Sequence, residues 1–169
     1  MADVVFEDNT VKVLNAMDDR INIALEECAG ELESQAKRNS RVAASNGSKT
    51  KNSFRHKVID AEHKAYIGSD YENAIWEEFG TGEYAIKENG GKGGRSGYWV
   101  FVKGSSGGYK NTGKSYSLKE AKKVMAILRS KGLEAYYTNG KRPSRALWKS
   151  YVSLKNKIVN RLQNALKGL

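Results

Sequence analysis

From Asn9 to Arg38, apolar residues recur at steps of three and four: Leu14, Met17, Ile21, Leu25, Cys28, Leu32 and Ala36. That period places them on one stripe of an α-helix; a strand would put alternate residues on one face. Asp8 or Asn9 is placed to cap the first turn, and the acidic residues that follow suit the positive end of the helix dipole. At 1.5 Å per residue such a helix is about 45 Å long. A compact domain of this size does not need that length, so one end is expected to reach toward a neighbour. Any fold open to this chain must cover the stripe along most of that length.

A second helical stripe follows Pro143, where Leu147, Tyr151, Leu154, Ile158, Leu162 and Leu166 align. Lys149, Lys155, Lys157, Arg161 and Lys167 lie off it. Pro143 suits the approach to that helix, Ser144 can cap it, and Gly168 stops it. Between the two helices the pattern changes. Residues 40–53 have loop composition and carry Arg41, Lys49 and Lys51, so a flexible connection is expected, with a phosphate-contacting arm as the alternative. Phe54 to Gly68 alternates as two short strands with a turn near Asp60-Ala61-Glu62. A short helix over 71–79, capped by Asp70 or Ser69, comes next.

The glycine-rich stretch Asn89 to Gly97 lacks the Gly-Lys-Ser/Thr pattern of a phosphate loop and precedes a strand, so it reads as a mobile hairpin loop. Tyr98 to Lys103 is β-rich. Ser117-Leu118-Lys119-Glu120 has the form of a capping box. Leu118, Ala121, Val124, Met125 and Leu128 make an apolar helical face, Gly132 ends that helix, and Leu133 to Tyr137 returns as a strand. The expected fold is α+β in one domain. A long N-terminal helix (1–39) and a C-terminal helix (143–168) pack on a small, mainly antiparallel sheet. The sheet is built from 54–103 and an inserted strand–helix–strand unit at 104–140.

Chemistry is thinly represented. Cys28 is the only cysteine, which excludes an intrachain disulfide and suggests a packed thiol in a reducing compartment. His56 and His63 are the only histidines and lack a third ligand at useful spacing, so no metal, cofactor or enzymatic activity is expected. The pairs Asp18-Asp19, Glu26-Glu27 and Glu77-Glu78 point apart on a helix and read as solvating or ion-pairing residues. Trp76, Tyr98, Trp99, Phe101, Tyr136, Tyr137, Trp148 and Tyr151 could stack on bases beside basic side chains, with core packing the favoured use. No run of about 18 apolar residues exists to span a membrane, and the N-terminus lacks the form of a secretory signal.

The net charge of +10 is unevenly placed: residues 1–34 hold nine acids against Lys12 and Arg20, a net −7, leaving +17 on the rest. That asymmetry fits nucleic acid, an acidic partner, or association of unlike faces between copies.

Ile75, Trp76 and Phe79 bunch on one side of a short helix that stops at Gly80-Thr81-Gly82. Phe79 is expected to anchor that helix in the core, and Gly80 or Gly82 to take positive φ. Tyr71, Ala74, Glu78, Phe79, Gly80, Thr81 and Gly82, followed by Pro143, Ala146 and Leu147 at the basic terminal helix, resemble the neck or tail-completion proteins of long-tailed bacteriophages, the minor tail components of head–tail joining. The likeness runs from about Phe54 to the C-terminus, with 104–132 as an insertion between its two motifs.

The resemblance implies a structural virion protein without a catalytic set. It would form a homo-oligomeric ring at the head–tail junction, assembled in the host cytoplasm. Its partners would be other copies of itself, the connector or stopper above and the tail terminator or tube below, with phage DNA passing through or touching it and no membrane involved. Trp76, Glu78, Phe79, Gly80, Thr81, Gly82, Pro143 and Leu147 would be its motif and interface residues. The strand, helix and Lys131-Gly132-Leu133-Glu134-Ala135-Tyr136 turn also resemble the peptidoglycan-binding repeat of bacterial division proteins over about 40 residues, which implies a basic binding module for glycan or nucleic acid as the alternative.

Overall fold

The computed structural model describes residues 7–40, 47–86, 94–104 and 109–167. The fold is α+β: a long N-terminal helix, a C-terminal helix, small antiparallel sheets and a helix between two strands. Where the sequence reads as one domain, the chain contacts form two compact units. The first is Met1–Tyr71 with Ala146–Leu169, and the second is Glu72–Arg145.

In the first unit, α1 spans Thr10–Asn39, within a residue of the expected bounds at each end. The N-cap position is Asn9, whose side chain makes no capping bond; Asp8 Oδ1 accepts from the Thr10 amide at 2.9 Å, and hydrogen bonds from the Thr10 side chain and then its amide hold the Asp8 carboxyl below the usual range. The first turn contains no acid, contrary to expectation; the dipole is matched instead at the other end, by Lys37 and Arg38. The stripe is buried or half-buried from Met17 to Ala36, but Leu14 is 53% exposed.

Helix α5, Ala146–Ala165, runs antiparallel to α1. Asn39 Nδ2 donates to Ser150 Oγ at 2.9 Å at one end. Toward the other, Arg161 pairs with Glu31 at 3.2 Å and Glu27 at 3.5 Å, and Lys157 also pairs with Glu31. The buried contact uses small residues, Ala24, Cys28, Ala29 and Ala36 on α1 and Ala146 and Ser150 on α5. They let the two backbones approach closely. Tyr151 (44% exposed) and Leu166 (46%) therefore leave the expected stripe. Ser150 takes the inward position beside Tyr151, and Leu166 falls just past the helix end.

The hairpin is β1 (Phe54–Ile59) and β2 (Lys64–Ser69), paired from Phe54↔Ser69 to Ile59↔Lys64. A turn of 3-10 helix at Asp60–Glu62 joins them, and His63 closes it in the left-handed region at φ 46°. The hairpin packs on α1. Phe54 is 2% exposed, in a cluster with Ala36 and Ala146 that Leu147 flanks. Just before it, Gly47–Ser53 forms a helix, α2, which corrects the loop reading there. Apart from its two lysines, its residues (Gly, Ser, Thr, Asn) are poor helix formers. Thr50 is nonetheless buried, and the Ser53 hydroxyl meets both Thr50 O (2.8 Å) and Ser69 Oγ (2.6 Å), so tertiary contacts hold the turn. Lys49 is exposed; Arg41 lies outside the described residues.

Both histidines fasten the hairpin to α1. His56 Nε2 lies 2.9 Å from Glu26 and Nδ1 2.5 Å from Glu33, which also accepts the His56 amide at 2.9 Å. His63 lies 3.0 Å from Asn22 Oδ1 and 3.4 Å from Asp18. Hydrogen bonds from Glu26 and then Glu33 push the His56 imidazole above its ordinary 6.5. Lys37, with His56 behind it, holds the Glu33 carboxyl down to about 2 from 4.5. The His56 contribution to stability is thus complete below pH 6.5 and lost as pH rises through its raised value. The Glu33 contribution is complete above pH 4.5 and lost as pH falls toward about 2. Thermal melts across this range are expected to peak between these limits. His56→Gln should abolish the alkaline decline and spare the acid one. An unchanged alkaline decline in that variant would remove His56 from the account.

In the second unit, β3 (Trp99–Lys103) is the central strand of an antiparallel sheet ordered β4-β3-β5, with β4 at Tyr109–Asn111 and β5 at Ala135–Thr138. Where one sheet was expected, the strands make two: α1 and α5 pack with the hairpin, and α4 (Leu118–Ser130) covers the three-stranded sheet. Both bonds of the Ser117–Glu120 capping box are present. Val100, Ala121 and Ala135 are fully buried, packed by Val124, Met125 and Leu128, while Leu118 is 40% exposed. Gly132 follows the helix at φ 78°. Strand β4 falls within the strand–helix–strand unit expected at 104–140, but its three exposed residues offer no alternation that could have fixed its bounds. Of the glycine-rich stretch, 89–93 lie outside the described residues.

Candidate functional site

Helix α3, Asn73–Phe79, starts after Glu72, whose side chain makes no capping bond. The expected cap Ser69 accepts instead from the Tyr71 amide at 3.1 Å, ahead of the helix. The inward side of α3 is Ala74 and Glu78, four residues apart and both buried. Ile75 (53%), Trp76 (50%) and Phe79 (39%) face outward. They group on one side as the spacing required, but Phe79 is not the core anchor. Periodicity fixes which residues share a face; it is silent on which face meets the core when two adjacent rows compete.

After Phe79 the backbone turns sharply. Gly80 takes φ 75° and ψ −179°, a region open essentially to glycine alone, and Gly82 takes φ 60°. Both glycines thus meet the positive-φ expectation. The turn is laced to residues 139–144. The Thr81 amide donates to Lys141 O and the Lys141 amide to Thr81 Oγ1, each at 2.9 Å. The Glu83 amide donates to Asn139 O at 2.9 Å, and Asn139 Nδ2 returns a bond to Glu83 at 2.8 Å. Glu77 O accepts both the amide (2.7 Å) and the hydroxyl (2.9 Å) of Ser144, and its carboxylate pairs with Lys141.

The glycines permit this approach. A Cβ at Gly80 would stand 2.8 Å from both Lys141 O and Pro143 Cδ; one at Gly82 would stand 2.3 Å from Asn139 O.

The two sequence motifs therefore meet. Pro143 joins the Glu-Phe-Gly-Thr-Gly turn at Gly80, and Glu78 of the same segment is buried. Leu147 falls in the first compact unit, packed against Phe54 and Ala146. The Thr81 hydroxyl serves the fold, by accepting from the Lys141 amide. Asn139, Gly140 and Lys141 were missed by sequence reasoning, although Asn139-Gly140 is a turn signal that could have pointed to them.

What this arrangement offers is a rigid scaffold under exposed apolar side chains. Among the described residues no cluster of three or more His, Cys, Asp or Glu is placed to hold a metal ion. Cys28 is buried, and burial pushes its thiol upward. Glu26 and Glu27 diverge to His56 and Arg161, as adjacent helical acids must. Among the described residues no helix is long and apolar enough to cross a membrane. Comparison with protein-family models, curated proteins and solved structures finds no match to this chain.

Proposed function

We propose that this chain is a structural subunit of the neck of a long-tailed phage, forming a ring at the head–tail junction that completes the tail and joins it to the head. The carrying observation is the pairing of a backbone-locked turn with outward Ile75, Trp76 and Phe79. A large aromatic on a rigid base loses little conformational freedom on docking, which is the character of an interface anchor. A head-to-tail contact of this kind closes into a ring when its rotation does. Val11 (70% exposed), Val13 and Leu14 near the start of α1 offer a second apolar strip.

Charge plays a smaller part than the uneven sequence suggests. Glu26, Glu27, Glu31 and Glu33 are engaged within the chain, so apolar contact leads association and salt weakens it only modestly. The ring's neighbours would be the connector or stopper on one side and the tail terminator or tube on the other, with DNA passing between them.

Trp76→Lys tests this reading. The side chain is half exposed, so folding stability should change by no more than about 0.5 kcal/mol. Joined particles, counted by electron microscopy after complementation, should fall on the order of tenfold or more, with free heads and tails accumulating. Normal particle yield from both Trp76→Lys and Phe79→Lys would defeat the assignment of this face to assembly. Particles lacking the protein altogether would defeat the neck reading itself.

A further inference from the structure

We propose that the open face of the β4-β3-β5 sheet is a stacking platform for single-stranded nucleic acid. The inference stands apart from the neck reading. Helix α4 covers one side of this sheet, where Tyr98, Val100, Val102, Ala135 and Tyr137 pack. Strand alternation sends Trp99, Phe101 and Lys103 to the other side. The register sets Tyr136 opposite Phe101 and Tyr109 opposite Lys103, so rings from all three strands share that face.

Phe101 stacks on Tyr136 with centroids 5.6 Å apart and planes 23° apart, and meets Tyr109 edge-on at 5.2 Å. Tyr109 is 62% exposed and Tyr136 36%. No residue of β4 belongs to the packed core, so the strand's large aromatic adds little to folding.

Cations border the rings. The Arg129 guanidinium lies 5.6 Å from the Tyr136 ring centre and that of Arg95 5.5 Å from Trp99, with Lys103 exposed on the same face of the central strand. The Glu134 carboxylate lies beside the rings, and Lys103 pairs with it at 3.0 Å. Residues 72–145 hold fourteen Lys and Arg against seven Glu, a net +7. Exposed rings among cations match unpaired bases on a phosphate chain. A duplex hides its base faces, and a neutral glycan makes no use of the charge.

The test is fluorescence anisotropy of the full chain with labelled oligothymidylate and with a duplex of equal length, across a salt series. Single strands should bind more tightly than duplex. Tyr109→Ala should weaken single-strand binding about tenfold and leave duplex binding unchanged, while Tyr109→Phe keeps it. Lys103→Gln should weaken both and flatten the salt dependence. Circular dichroism confirms that each variant is folded, and Tyr136→Ala repeats the test from β5. Equal affinity for single strand and duplex, or wild-type binding by both alanine variants, overturns the proposal. So does retention on cell-wall glycan or an acidic peptide without binding to oligothymidylate.

Discussion

Gly82→Val is expected to unfold the segment from Glu72 to Arg145, at a cost of about 4 kcal/mol or more. Two effects add. The residue sits at φ 60°, where a β-branched side chain collides with its own backbone. Its Cβ would also lie 2.3 Å from Asn139 O, 2.6 Å from the Trp99 ring and 2.8 Å from Gly140 Cα. Two of these three are backbone atoms, held by the Thr81–Lys141 and Glu83–Asn139 bonds, and cannot step aside without breaking that lacing. Gly113→Ala is the control. It shares a positive φ of 77° but has nothing within 4 Å, so it should cost only about 1–2 kcal/mol. Urea denaturation gives the magnitudes, and limited proteolysis should reveal new cleavage between residues 72 and 145 in the valine variant alone. Equal losses for both variants would show that φ strain, and not close approach, is why glycine stands at position 82.

Phe54→Ala should destabilise the first unit by about 3–5 kcal/mol, the range for truncating a buried aromatic. Phe54 is 2% exposed, between Ala36 of α1 and Ala146 of α5. The two buried neighbours are alanines, whose side chains are too short to fill the gap, and Leu147 flanks the cluster from a half-buried position. Phe79→Ala should cost about 1 kcal/mol, because Phe79 keeps 39% of its surface in water already. Denaturant midpoints of the two variants rank them directly. A larger loss at Phe79 than at Phe54 would return Phe79 to the core and remove it from the proposed interface.

These two phenylalanines mark where sequence reading stops. Both stand in segments whose type was legible. The strand at Phe54 followed from alternation, and its partner from the turn at Asp60–Glu62. The helix at Phe79 followed from the spacing of Ile75, Trp76 and Phe79 and from Gly80 after it. The choice between core and solvent was not legible at Phe79, because Ala74 and Glu78 form a competing row on the same short helix. Glutamate is a poor guess for an inward position. It is buried here, in a helix whose Glu77 and following Thr81 are bonded to Ser144 and Lys141, about 60 positions later. In the same way, the aromatics singled out from the sequence divide between the packed side of β3 (Tyr98, Tyr137) and its open side (Trp99, Phe101, Tyr136), with Tyr109 joining from a strand that composition does not signal.

By itself the sequence determined what is local. That comprises the extent of α1, the hairpin and its turn, the capping box and apolar face of α4, and the positive φ at Gly80 and Gly82. Each rests on interactions within a few residues, where spacing and steric limits act directly on the chain. Tertiary structure alone decided the division into two sheets, the helical turn at Gly47–Ser53, the outward face of α3 and the meeting of the Gly-Thr-Gly turn with Asn139 to Ser144. Those depend on surfaces brought together from distant positions, and the free energy of covering a face belongs to the pair of faces and to neither segment alone.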